Sequence, residues 1–95
     1  MQLTDYMARV EQAVRENVQG EVLAAIRVTK HEISYEDYWE RVYVVAWQRE
    51  DQSGTHRVHI NSKDESSLFM GNYMLTPTDA LHDAVERAGL TVGRV

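Results

Sequence analysis

Cysteine is absent from this chain, which excludes disulfides, thiolate metal sites and a thiol nucleophile. Long apolar runs are missing too. The longest, residues 22–26 and 42–47, hold five or six residues, against roughly 18–20 for a bilayer span. The start, Met1-Gln2-Leu3-Thr4-Asp5, has neither a basic opening nor an apolar middle, so it does not read as a secretion signal. Positive charge is scarce: ten Lys plus Arg against fifteen Asp plus Glu leave a net charge of −5. That balance disfavours direct nucleic-acid binding, which needs clustered cations to neutralise phosphates. The expectation is a cytoplasmic protein with no membrane contact, no metal and no cofactor.

The 95 residues, 43% of them hydrophobic and 26% charged, suit one small α+β domain spanning 1–95. Proline occurs once, at 77, and the five glycines at 20, 54, 71, 89 and 93 punctuate the chain. Leu3, Met7, Val10, Val14 and Val18 recur at helical spacing, with Tyr6, Ala13 and Asn17 flanking the stripe. Thr4 is placed as N-cap, and Gly20 as the left-handed residue that stops the helix. After Gly20 the period moves towards two, and a strand is expected from Val22. A helix running on to Val28 is the rival reading, but it would carry Gly20 internally at a cost of about 1 kcal/mol.

Tyr38 to Arg49 carries the strongest strand pattern. Trp39, Arg41, Tyr43, Val45 and Trp47 share one face; Tyr38, Glu40, Val42, Val44 and Ala46 share the other. Residues 50–54 read as a hairpin loop and 55–61 as the returning strand. A loop of even length places Tyr43, Val45 and Trp47 on the same face as Val58 and Ile60, the expected core side. Leu68-Phe69-Met70 reads as a short strand and Gly71-Asn72 as a turn. Thr76-Pro77-Thr78-Asp79 opens a final helix with an N-cap threonine and proline at N1. Its stripe is Ala80, Leu81, Ala84, Val85 and Ala88, and Gly89 ends it. The order is therefore α-β-β-β(-β)-α, an antiparallel meander sheet with both helices packed on one face.

In outline this order resembles the double-stranded-RNA-binding domain. The resemblance implies basic side chains at the start of the last helix, where this chain has Asp79 and Asp83 with no Lys or Arg. His31-Glu32 begins like a zinc-protease motif, but Tyr35 stands where its second histidine belongs. His56 and His59, three apart on a strand, point to opposite faces. His82 near Asp79, Asp83 and Glu86 is weighed as a solvated helix face more than as a metal site. Glu32 and Glu40 have no feature marking a catalytic pair. No catalytic residue or enzymatic activity is expected.

One segment is denser than composition requires: residues 32–41 hold four acids and three aromatics. Within it, Tyr35, Glu36, Asp37, Tyr38, Trp39 and Glu40 suit a basic protein surface, with rigid aromatics giving contact area and acids steering. The bland reading puts Tyr38 and Trp39 in the core and the acids on a solvated turn. By size and acidity the chain is similar to small phage-encoded inhibitors of bacterial defence, anti-CRISPR proteins among them. That similarity implies a non-enzymatic module that blocks or regulates a partner protein. Val42, Val44 and Ala46 would be left uncovered on the second sheet face, so a homodimer is expected to bury them. The alternative function is binding of a small anion or nucleotide at the dimer interface, clamped by pairs among Arg27, Arg41, Arg49 and Arg57.

Overall fold

A computed structural model describes residues 3–74 and 76–89. It is an α+β structure with an antiparallel sheet of five strands. Helix α1 (Leu3–Val18) leads into β1 (Glu21–Arg27) and a one-turn 3-10 helix (Thr29–His31). Then follow β2 (Ile33–Tyr35), β3 (Tyr38–Arg49), β4 (Gln52–Asn61), β5 (Ser66–Met74) and α2 (Pro77–Arg87). The sheet order is β1-β3-β4-β5, with β2 also paired to β3. β1 lies against residues 43–48 of β3 and β2 against residues 38–40, so the two share one edge of β3. The 3-10 turn bridges them.

The register of β3 and β4 follows from a two-residue loop, Glu50-Asp51, closed by the Arg49–Gln52 pair. The even loop places Tyr43 opposite Val58 and Arg41 opposite Ile60, so the expected core face forms. α1 covers it: Tyr6, Val10, Ala13, Val14 and Val18 pack on Tyr43, Val45, Trp47, Val58 and Ile60. Fully burying each of those aliphatic side chains is worth about 1.5–3 kcal/mol.

The second helix is where expectation and structure part. α2 does not join α1; it lies on the opposite face, where Ala80 and Ala84 pack on Val28, Val42, Val44 and Ala46. The physical reason is β3 itself, apolar on both sides and therefore in need of cover on both. The chain supplies that cover with its own C-terminal helix, which removes the argument that a second copy must do so. The small alanines let α2 approach closely, and its apolar stripe is narrower than expected. Leu81 stays 37% exposed and Val85 is only partly buried.

Local signals at the helix ends also sort differently. α1 starts at Leu3, so Thr4 lies in the first turn and does not precede it. The left-handed residue after α1 is Gln19, at φ 56°, and not Gly20. Gly20 is needed for space: a Cβ there would stand 3.0 Å from the Trp47 ring. At α2 the reading holds. The Thr76 side chain accepts from the Asp79 N–H, and Gly89 adopts φ 78° after the last turn. Leu90, the apolar residue expected beyond it, lies outside the described residues.

β5 is longer than the three residues expected, and Gly71-Asn72 is no turn. The strand runs through it with a register shift opposite His56, where Met70 takes φ 54°. This bulge bends the strand and leaves Phe69, Met70 and Tyr73 exposed along a free edge.

Candidate functional site

The six residues singled out in the sequence fall into two groups. Ile33-Ser34-Tyr35, too short and too exposed to show a strand period, pairs with the start of β3. That pairing turns residues 33–40 into a hairpin whose two-residue tip is Glu36-Asp37. Tyr35 and Tyr38 face each other across the tip with ring centroids 5.2 Å apart, stacked at 26°. Tyr35 is 64% exposed, and both tip acids are solvated. Lys63 reaches over the Tyr38 ring at 5.9 Å. Together these residues line one shallow groove.

Trp39 and Glu40 do not join them. Trp39 points to the α1 face and meets Tyr6 edge-on at 5.3 Å, while the Arg41 guanidinium caps Tyr6 from 3.9 Å. Its role is packing. Glu40 lies on the α2 face, where one carboxylate oxygen sits 2.7 Å from His59 Nδ1 and the other accepts the Tyr38 hydroxyl at 3.0 Å. That hydrogen bond to a carboxylate holds the Tyr38 phenol above its ordinary pKa. The Tyr38–Glu40–His59 chain went unrecognised in the sequence, although the even hairpin loop already puts Glu40 and His59 on one face.

The four strand arginines do not all converge: Arg27 and Arg41 line one shallow groove together with Glu32, and Arg49 lines another. Arg27 makes a bidentate ion pair with Glu32 at 2.6 and 2.8 Å, which holds the Glu32 carboxyl below its usual range. Arg49 donates to the Val18 carbonyl and to Asp51, and Arg41 stacks on Tyr6. Among the described residues Arg57 alone has no such engagement. Glu32 and Glu40 are each committed to a different partner, so they form no acid pair. Among the described residues no three His, Asp or Glu side chains converge as metal ligands, and no helix is long and apolar enough to cross a membrane.

His56 is a buried titratable group on the α1 face. Its Nδ1 accepts the Trp47 indole N–H at 2.9 Å, and Tyr73 packs edge-on against both rings. Burial, helped by the Arg87 charge, pushes the imidazole below its ordinary 6.5. The folded state therefore binds this proton less readily than the unfolded chain. Its contribution to stability is complete above pH 6.5 and is lost as pH falls through the lowered value. Urea unfolding between pH 8 and about 5 should show this loss. His56→Gln should flatten that part of the profile, and an unchanged profile would contradict the assignment.

The chain matches no known protein family, and no curated protein or solved structure is significantly similar to it.

Proposed function

We propose that this protein is a non-enzymatic binding module that docks the tip of the β2–β3 hairpin on a basic surface of a partner protein. The observation that carries this reading is the tip itself. Two solvated acids are held between stacked tyrosines, Tyr35 exposed and Tyr38 half-buried, on a paired hairpin. Rigid aromatic area costs little conformational entropy to bury, and the acids steer towards Lys and Arg. Ile33, 45% exposed on the adjoining strand, extends the contact. The net charge of −5 supports attraction over a longer range. An inhibitor that fills a nucleic-acid groove of its target would use the same chemistry, in keeping with the chain's likeness in size and acidity to phage anti-defence proteins.

The test compares wild-type bait with the Glu36→Lys/Asp37→Lys variant in extracts of the native host. At about 50 mM salt the wild type should retain a partner that the variant loses. Raising salt to about 500 mM should weaken the wild-type capture at least tenfold. Equal capture by both baits would overturn the reading.

A further inference from the structure

Arg57 occupies the middle of the sheet, opposite Val44 on one side and Phe69 on the other, on the face that α2 covers. Its Nε is sealed from solvent without a hydrogen-bond partner, while the residue as a whole keeps partial exposure. Among the described residues no carboxylate stands within ion-pair distance of it. The acids on this face are already engaged: Glu40 with His59 and Tyr38, and Asp83 with Thr55 at 2.6 Å and Asn72 at 3.2 Å.

A second guanidinium reaches the same strand face. Arg87, from the last turn of α2, donates to the Thr55 hydroxyl at 2.8 Å, and Thr55 precedes Arg57 by one step along the same strand face. Burial and the Arg57 charge push Arg87 below its ordinary pKa, and Asp83 offsets part of this. Lys30, on the 3-10 turn, lies against the C-terminal end of α2, its Nζ 3.7 Å from where a Gly89 Cβ would stand. The negative end of the α2 dipole accounts for Lys30 and Arg87. It does not account for a part-buried Arg57 with no acceptor among the described residues, in a chain that has acids to spare.

We propose that Arg57 and Arg87 bind the phosphate group of a small molecule. Planar guanidinium forks match the oxygens of a tetrahedral anion, and the partly exposed Arg57 side chain carries a charge that no acceptor among the described residues meets. The site needs one chain only. It is independent of the hairpin reading.

The experiment follows the Arg57 Nε–H resonance of the whole chain during titration with inorganic phosphate, 5′-AMP and acetate. Phosphate should move that resonance saturably below about 10 mM. Arg57→Gln, judged by calorimetry, should weaken phosphate binding at least tenfold, and Arg57→Lys, which keeps the charge and the fold, several-fold. Arg15→Gln, which removes the same charge from the exposed side of α1, should leave it unchanged. AMP binding tenfold tighter than phosphate would identify a nucleotide as the source; equal binding would identify the free anion. The proposal is overturned by a resonance that stays still up to about 20 mM phosphate or AMP, by an Arg57→Lys variant that titrates like wild type, or by acetate binding as well as phosphate. Because the Glu36→Lys/Asp37→Lys variant should titrate normally with phosphate, failure at one site is distinguishable from failure at the other.

Discussion

Trp47→Ala is expected to remove about 3–5 kcal/mol of folding stability, a large share of the roughly 5–15 kcal/mol typical of a small domain. The indole is fully buried in the α1-side core and meets elements from several parts of the chain. Gly54, directly opposite it, leaves no room for a side chain: a Cβ would lie 2.7 Å from the Trp47 ring and 2.6 Å from the Asn72 carbonyl. Tyr73 packs on its edge, and Gly20 makes room for its other end. Truncation therefore opens a cavity walled by backbone, which collapses poorly, and it also strips His56 of its donor. Urea unfolding followed by circular dichroism measures the loss. A cost under about 1.5 kcal/mol would mean that the surroundings close over the gap and that the packing around Trp47 is not rigid.

Ala84→Asp should have an effect of similar size but a different form. Ala84 is fully buried between α2 and the Val42, Val44 and Ala46 face. A carboxylate there loses its hydration among apolar neighbours, and an uncompensated buried charge costs about 3–5 kcal/mol. The α1-side core shares none of its buried members with the α2-side core. The expected result is release of α2 from a sheet that keeps α1, seen as protease cleavage within residues 77–87 and partial loss of helical signal. Ala84→Gly separates helix propensity from burial, since it costs only about 1 kcal/mol. Unfolding of the whole chain in one step, with no protease-sensitive intermediate, would show that the two halves are not separable.

The parts of the fold that could be read from the residues are those with a strong period. β3 occupies Tyr38–Arg49, where its alternation places it, and the parity of its loop to β4 sets the core face. The capping signature before α2 and the glycine after it also act as expected. Where the reading failed, a local signal had more than one physical use. Gly20 looked like a helix stop but serves the close approach of Trp47, and Gln19 takes the left-handed turn. Gly71-Asn72 looked like a turn but lies in the bulged part of β5. β2 has three exposed residues and no alternation, so only tertiary pairing reveals it. Helix placement was open because β3 is apolar on both faces; the pattern demands two covers without saying which chain provides the second.

The candidate site shows the same division. Density of acids and aromatics was visible at residues 35–40, but only the hairpin register sorts Tyr35, Glu36, Asp37 and Tyr38 to the tip from Trp39, packed against the α1-side core, and Glu40 on the far face. Of the four strand arginines considered, Arg57 is the one whose availability depends entirely on what its neighbours are already bonded to. No sequence pattern reports that.

The bulge in β5 has a consequence for how the molecule behaves at high concentration. Residues 66–74 carry no charge, and their free backbone edge invites further chains to add on as strands. Without lysine or proline to discourage this, the kink at Met70 interrupts the straight run that a growing stack of sheets would copy. That backbone irregularity is one obstacle to fibrous growth along this rim, and the net charge of −5 is another.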